Sequence, residues 1–460
     1  MDRLFRSPMG ALLARPWLDS AALMGLKRWY FPLSRLWAAA NAAGSDTVRF
    51  MREIGEPLPH LWSAERLVRA LARTDEARGR AVAARAAWEE GLFGGDGDIA
   101  SLEHQRRRTA TRHLAARANF VGQLRVARPP LARWQIPSPD AMRDTLAVAT
   151  CDPDRFHAVT FDTRTVQVSP LFDLGGLRQR WLRAPTPAAR LNRWPASRTL
   201  YARIVEPVGD ASRAPTVVFG SGFGLELDLM SGGIDPDRRL AELGWRVVSV
   251  VSPFHGLRAE ADRYGGEPFI ATAPLGTIDL IAGQTTEAAM LIAWCRERFG
   301  GKVALAGISM TSFVAQQAAS HCHLWPPEAR PDAALLISHS GRIENVAFGG
   351  ALSAALGLDR ALRAGGWSAS DLQALASLLD PTDAPALPAS RIVSALGSAD
   401  RWLPFADGLG VVGRWKLPQE NLFRYPVGHL GMPVQLVRDP APFARLRQVM
   451  SVARAARSRG

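Results

Sequence analysis

From about residue 200 onward, the sequence alternates short apolar runs rich in β-branched residues with segments of helical length. Most of the runs are apolar on both faces, as buried parallel strands must be. Strand alternating with helix, as in the patterns at 275–299 and 310–321, predicts a doubly wound, mostly parallel α/β sheet. The predicted strands are Tyr201–Val205, Thr216–Phe219, Arg246–Val251, Lys302–Ala306, Ala334–Ser338, Arg391–Leu396 and Leu422–Val427.

Before this region, turn-forming glycines and prolines separate three predicted helical stretches, at 17–43, 61–92 and 99–127. We therefore predict one large α/β domain with added helical layers. Its predicted parts are a helical N-terminal region (1–133), a connecting segment (134–199), the first part of the core (200–340), a helical cap (341–388) and the second part of the core with a C-terminal helix (389–460).

The predicted cap lies between two core strands and is rich in Gly, Ala and Leu. Helices there would cover a site and shape an apolar pocket, or would form a layer with no gating role. The apolar residues that would do so are Leu352, Leu356, Leu362, Trp367, Leu372 and Leu375.

The formal net charge of +13 raises the question of a nucleic-acid or anionic-membrane partner. Only three of the 56 basic residues are lysines, and Ala, Gly and Pro are abundant, which is typical of a GC-rich genome. The basic segment 99–133 lacks interleaved aromatic residues and any recognised motif. We therefore predict no nucleic-acid partner.

Three widely spaced cysteines cannot all pair and lack metal-ligand spacing, so we expect a reducing compartment and no metal or cofactor.

Basic residues interrupt the first thirty positions, and no apolar run approaches the ~18 residues of a spanning helix. These features predict a cytoplasmic protein, at most peripheral to a membrane. Segment 16–42 could lie in a membrane interface with its basic residues turned to headgroups, although such segments more often pack on their own domain.

The most informative string is Gly307-Ile308-Ser309-Met310-Thr311, which joins a buried strand directly to an amphipathic helix. A serine on such a sharp turn exposes its hydroxyl above the sheet, and the helix N-terminus offers amides to developing negative charge. Ser309 is thus a candidate nucleophile, and the alternative is that it caps the helix. Thr311 replaces the usual glycine, which requires a more open turn or a small residue on the neighbouring strand.

A second glycine-rich loop follows the strand at Thr216–Phe219. We predict an oxyanion hole made by the amide of Met310 and the amide of Phe223, or of Gly222 if the loop register differs. A phosphate-binding loop is the rival interpretation, but no Lys-Ser/Thr pair follows and the G-x-G-x-x-G spacing is absent.

Two later strands end in loops that carry Asp400 and His429. The chain order Ser309, Asp400, His429 is that of the α/β-hydrolases and differs from the orders in chymotrypsin and subtilisin. The sequence therefore predicts a Ser-His-Asp triad, with Asp407 as the first substitute for the acid.

The strings Ser252–Arg258 and Gly307–Met310, with the Asp400 and Gly428-His429 loops, resemble the α/β-hydrolase domain-containing protein 18 family across roughly residues 200–435. That family has Gly-Gly where this chain has Thr311-Ser312, and Tyr-Tyr-Gly-x-Arg where it has Phe-His-Gly-Leu-Arg. The resemblance implies the α/β-hydrolase fold and hydrolysis of an acyl ester or related bond, without fixing the substrate.

Three further residues have alternative interpretations. Arg258 could bind a substrate carboxylate or phosphate, or form a loop salt bridge. His339 could contact substrate, although a structural role is favoured, and His255 resembles a packing position.

The leading hypothesis is a serine hydrolase of a lipid or other hydrophobic acyl ester. The alternative is a catalytically impaired scaffold that binds a partner because Thr311 has spoiled the turn.

Overall fold

The computed structural model describes residues 15–55, 63–95, 97–126, 129–224 and 235–451. Within them, ten strands form one sheet in the order β1-β3-β4-β6-β5-β7-β8-β9-β10, with β2 paired to β3. The strands are β1 Gln167–Val168, β2 Phe172–Leu174, β3 Leu177–Pro185, β4 Thr199–Val205, β5 Thr216–Gly220, β6 Arg246–Val250, β7 Val303–Ile308, β8 Ala333–Ile337, β9 Ile392–Gly397 and β10 Leu422–Tyr425.

Strands β5 to β10 all run parallel, and β4 is antiparallel to both of its neighbours. Because the carboxyl ends of parallel strands meet at one edge, the loops after β5, β7, β9 and β10 share that edge. Each of the seven predicted strands is present with ends shifted by one or two residues. The prediction of a doubly wound, mostly parallel sheet is confirmed.

The segment 134–199 is more than the connection predicted from the sequence, because it contributes β1, β2 and β3 to the sheet. Strand β3 pairs with the whole length of β4, from Gln179 opposite Val205 to Pro185 opposite Thr199. Its residues alternate between buried and partly exposed positions, and the exposed ones include arginines. A search for strands apolar on both faces misses such a half-solvated strand.

Twenty α-helices accompany the sheet in the described residues. They are α1 Trp17–Gly25, α2 Phe31–Ala43, α3 Thr47–Ile54, α4 Ala64–Gly94, α5 Ile99–Ala115, α6 Val121–Val126, α7 Pro139–Cys151, α8 Pro153–His157, α9 Pro236–Glu242, α10 Glu267–Ala271, α11 Leu275–Phe299, α12 Met310–His321, α13 Ile343–Gly349, α14 Ala351–Leu356, α15 Leu358–Ala364, α16 Ala369–Gln373, α17 Ala376–Leu379, α18 Phe405–Arg414, α19 Gly431–Arg438 and α20 Ala441–Ser451.

Two helical layers bury the sheet. Helices α11 and α12 pack on one face through residues such as Leu291 and Val314. Helices α9 and α20 pack on the other through Leu240 and Leu446. Above the carboxyl edge, the short helices α13 to α17 occupy the region predicted as a cap and share a core with Met310 and Phe313 of α12.

The aromatic N-terminal segment divides into two parts. Helix α2 packs on its own domain, with Phe31, Leu36 and Arg35 buried. The expectation that Arg35 faces lipid headgroups is therefore wrong, because its side chain is enclosed and donates to the Glu53 carbonyl. By contrast, α1 and the π-helical turn Leu26–Tyr30 that follows it leave Met24 and two tryptophans exposed. No described helix combines the length and apolarity needed to cross a bilayer.

Candidate functional site

Ser309 sits between β7 and α12 with φ 56° and ψ −117°. This conformation is unfavourable for a residue with a side chain and persists only where surrounding contacts enforce it. The Ser309 amide donates to the Ile337 carbonyl of β8 over 2.9 Å, and the Ser312 amide donates to the Ser309 carbonyl over 3.0 Å. The turn is thus fixed to the sheet on one side and to the helix on the other.

Two glycines allow α12 to start this close to the sheet. A Cβ on Gly307 would collide with the Thr311 carbonyl, and a Cβ on Gly220 would lie 2.7 Å from the Thr311 Cβ. Gly220 pairs with Gly307 across β5 and β7. Of the two accommodations expected for Thr311, the structure therefore shows the small neighbouring residue.

Thr311 and Ser312 also bond to the turn itself. The Thr311 hydroxyl accepts from the Ile308 amide and donates to the Ile308 carbonyl, each over 3.1 Å. The Ser312 hydroxyl donates to the Ser309 carbonyl. The two hydroxyls thus brace Ile308 and the backbone of Ser309 itself.

Ser309, His429 and Asp400 lie in one hydrogen-bonded chain. The Ser309 Oγ is 2.9 Å from the His429 Nε2, and the His429 Nδ1 is 2.7 Å from the Asp400 Oδ2. The other carboxylate oxygen of Asp400 accepts from the amides of Trp402 and Leu403, over 2.9 and 3.1 Å. The carboxylate is therefore fixed by backbone and aimed at the imidazole.

The surroundings of His429 favour its charged form. Burial alone would lower the pKa of His429, but the charge and hydrogen bond of Asp400, with a further contribution from Asp19, raise it above its usual value. The Trp402 ring stacks on the imidazole with centroids 4.9 Å apart. Asp407, the substitute acid considered above, instead accepts from Asn345 over 2.9 Å.

The loop after β5 is held by a histidine. The Gly224 amide donates to the His255 Nε2 over 3.1 Å, while the His255 Nδ1 donates to the Pro253 carbonyl over 2.9 Å. Burial lowers the pKa of His255 to about 4, so the ring is a neutral acceptor at ordinary pH. His255 thus orders the glycine-rich loop, beyond the packing role expected from the sequence. The amides of Phe223, Gly222 and Met310 stay predictions as oxyanion donors.

Arg258 and His339, which the sequence offers as possible substrate contacts, are both enclosed away from the Ser309 cavity. The Arg258 guanidinium is fully buried and bonds to both Glu287 carboxylate oxygens, over 2.6 and 2.9 Å. His339 is enclosed between Gln316 and the Ser394 hydroxyl, and burial lowers the pKa of His339 to about 3. Neither side chain borders the cavity at Ser309. The contacts fit the other interpretation of each residue, in which Arg258 forms a salt bridge and His339 has a structural role.

A largely apolar cavity opens on the Ser309 hydroxyl and the His429 ring. Its unfilled space is about 830 Å³, open mouth included. Four of the cap leucines predicted to line such a pocket do so (Leu352, Leu356, Leu362 and Leu372), and Phe223, Met310 and Phe313 also border the cavity.

Sequence reasoning missed one side chain at the site, Asp19 of α1. Its carboxylate accepts from the backbone amides of His429 and Leu430, from 410 residues away in the chain. Within its own helix Asp19 looks like an ordinary acidic residue of the first turn. The one local signal is Gly428, where a Cβ would collide with the Asp19 carboxylate.

A parallel sheet with this turn after β7, an acid after β9 and a histidine after β10 is the α/β-hydrolase fold predicted from the sequence. Membership of one family within this fold, the α/β-hydrolase domain-containing protein 18 family that the sequence resembles, stays a prediction.

No protein-family model and no curated protein matches the chain. Many solved structures are similar to the chain in fold. Acetyl xylan esterase from Paenibacillus sp. R4 has 14% identity and a TM-score of 0.45, over 70% of this chain and 98% of that one. Brefeldin A esterase, a bacterial homologue of human hormone-sensitive lipase, has 15% identity and a TM-score of 0.38, over 69% and 87%. A cold-adapted esterase from an Arctic intertidal metagenomic library has 14% identity and a TM-score of 0.38, over 60% and 97%. Similarity at this level concerns the fold, and the activities belong to those proteins.

Replacing Gly220 with alanine tests the contact beneath the turn. We expect Gly220→Ala to lower the free energy of unfolding by about 1–3 kcal/mol, because its Cβ overlaps Thr311. The double variant Gly220→Ala/Thr311→Gly should regain most of that loss, giving a coupling energy of about 1 kcal/mol or more in denaturant titrations. Gly413→Ala, where a Cβ meets open space, is the control and should change stability little. Additive effects at Gly220 and Thr311 would contradict this account.

Proposed function

We propose that this protein is a serine hydrolase that cleaves carboxylic esters of apolar acyl groups through an acyl-enzyme on Ser309. The observation that carries the proposal is the chain of hydrogen bonds from Asp400 through His429 to a Ser309 hydroxyl that faces an apolar cavity. A nucleophile, a base and a group orienting the base are the parts that acyl transfer needs.

In the first step, the Ser309 Oγ attacks the ester carbonyl carbon while the His429 Nε2 takes the hydroxyl proton. The charged imidazole is stabilised by Asp400, which accepts the Nδ1 hydrogen throughout. The amides at the start of α12 and in the β5 loop bind the oxyanion. The tetrahedral intermediate then collapses: the ester C–O bond breaks, and the leaving alcohol takes the proton from Nε2.

In the second step, water attacks the acyl-enzyme and His429 takes one of its protons. Collapse of the second tetrahedral intermediate releases the carboxylic acid and returns the proton to the Ser309 oxygen. The hydroxyl-braced turn argues against the impaired-scaffold alternative, because Thr311 is accommodated by Gly220 and bonds to the turn.

Labelling with a fluorophosphonate probe tests the nucleophile. We expect one probe per chain, attached to Ser309, and no labelling of Ser309→Ala, whose turnover should fall by ~10⁴-fold or more. Ser353 is another serine that borders the cavity, without a histidine bonded to it among the described contacts. Ser353→Ala is therefore the matched control and should still be labelled. Equal labelling of Ser309→Ala and the wild type would refute the assignment.

The lining of the cavity supports an apolar acyl group, because aliphatic and aromatic side chains from α12 and the cap surround the space beside Ser309. Each acyl methylene that leaves water on binding contributes ~0.8 kcal/mol. A long acyl ester should therefore be favoured over an acetyl ester until the cavity is filled.

We expect kcat/KM to rise from acetyl to longer p-nitrophenyl esters by roughly two- to fourfold per methylene. Ala347 borders the cavity and Ala374 is exposed outside it. Ala347→Phe should lower kcat/KM for the long esters and spare the acetyl ester, whereas Ala374→Phe should leave the series unchanged. A preference for acetyl esters would contradict the acyl-pocket proposal.

We further propose that α1 and the π-helical turn rest on an anionic membrane surface. Trp17, Met24 and Trp29 expose 51, 70 and 40% of their surface, and Lys27 and Arg28 are exposed beside them. Tryptophan with lysine and arginine is the combination found at the headgroup level of membranes.

Vesicle co-sedimentation tests this surface. Binding should require an anionic lipid such as phosphatidylserine and weaken with salt. Lys27→Glu/Arg28→Glu should lower it about tenfold or more, since each basic residue near the surface contributes ~1 kcal/mol. Arg66→Glu/Arg69→Glu makes the same charge change at exposed positions of α4 and should bind as the wild type does. Equal binding of both double variants would refute the α1 surface.

A further inference from the structure

The backbone that carries His429 is held by a side chain from the N-terminal region. The Asp19 carboxylate accepts from the His429 amide through one oxygen, and from the Leu430 amide through the other, over 2.9 Å. Asp19 is 8% exposed and His429 is 7% exposed, so this contact is largely shielded from water. Hydrogen bonds to a charged acceptor in such a place are about twice as strong as neutral ones.

The residue before His429 is shaped for this contact. A Cβ on Gly428 would collide with the Asp19 carboxylate, so glycine is required for the carboxylate to reach the backbone. On its own helix, Asp19 lies in the first turn, where the positive end of the helix dipole favours a negative charge. Both partners are therefore built to bring a carboxylate against the His429 loop.

Two carboxylates consequently contact one histidine, one at its ring and one at its backbone. Asp400 bonds to the His429 Nδ1 over 2.7 Å, and Asp19 lies against the His429 backbone. The pKa of Asp19 is raised chiefly by burial and also by the charge of Asp400, while the two amides and the charge of His429 lower it. The charges of Asp19 and His429 thus stabilise each other.

We propose that Asp19 is a positioning residue for the hydrolysis reaction, which fixes the His429 backbone and stabilises the imidazolium formed when Ser309 attacks. The proposal rests on the function proposed above. Asp400 orients the ring from its Nδ1, and Asp19 fixes the loop from which the ring projects. Helix α1 is on this account a part of the active site, contributed by a region outside the sheet.

The test compares kcat and KM across pH for the full-length chain and its Asp19→Asn variant. The asparagine retains one acceptor and loses the charge, so we expect kcat to fall about tenfold, or ~1.4 kcal/mol in activation free energy. KM for a short ester should change little. Because a negative charge beside His429 raises its pKa, the acid limb of the kcat/KM profile should move to lower pH in Asp19→Asn. Asp19→Glu restores the charge and should return the acid limb toward its wild-type position.

Asp46→Asn is the matched control. The Asp46 carboxylate also accepts from two backbone amides, those of Val48 and Arg49, but at the start of α3 and without any recorded contact to His429. It should lose some stability and keep the wild-type pH profile. Gly428→Ala approaches the same contact from the other side, because its methyl group displaces the Asp19 carboxylate. It should reproduce the lower kcat even if Asp19→Asn fails to fold.

Asp19→Asn with the kcat and acid limb of the wild type would overturn this role while leaving the proposed function intact. So would a lower kcat with an unmoved acid limb, because that result assigns Asp19 to folding alone. A wild-type chain that neither hydrolyses esters nor labels at Ser309 would instead refute the proposed function, and the role of Asp19 with it. Thermal unfolding of each variant separates loss of folded protein from loss of turnover.

Discussion

Helix α12 begins in direct contact with the ends of two strands, and this close approach forces Ser309 into a positive φ. The glycines of β5 and β7 admit the helix, while the bond to the Ile337 carbonyl keeps the serine attached to β8. The energy stored in the turn is of the order of 1–3 kcal/mol and must be supplied by the packing of α12. That packing comes from the core that α12 shares with α11, and so the serine depends on the burial of the whole layer.

The N-terminal region contacts the site on two sides. Asp19 binds the backbone of the His429 loop, while the Tyr30 hydroxyl donates to the Gly224 carbonyl at 3.5 Å and Phe31 lies 6.1 Å from the Phe223 ring. The thirteen residues from Asp19 to Phe31 thus touch both the histidine loop and the glycine-rich loop. Fixing both loops to a common support limits how far the His429 loop and the glycine-rich loop can move apart, as the proposed acyl transfer would require.

Sequence reasoning found the parts of the site that follow from local pattern. The string around Ser309, the glycine-rich loop and the loops of Asp400 and His429 each follow a predicted strand, and the order of parallel strands then brings them to one edge. What it missed depends on packing between distant segments. The acid–amide contact of Asp19 joins residues 410 positions apart. The sequence leaves Arg258 open between a substrate contact and a salt bridge, because it does not show that Glu287, on another element, neutralises the guanidinium.

The geometry of α1 reconciles a membrane surface with a role inside the site. Trp17, Ser20, Ala21 and Met24 are separated by three and four residues, so they share one face of the helix, and all four are exposed. Asp19 lies on the opposite face, turned inward to His429. A membrane against the outer face would leave the inner contact of Asp19 intact, because the two use different faces of the helix. Protonation of His429 and docking of α1 through Asp19 are linked, and such linkage is reciprocal. If a charged His429 strengthens the docking of α1, then whatever holds α1 in place also favours the charged imidazole. A helix of nine residues would in this way connect the protonation of His429 with the membrane surface proposed for its outer face.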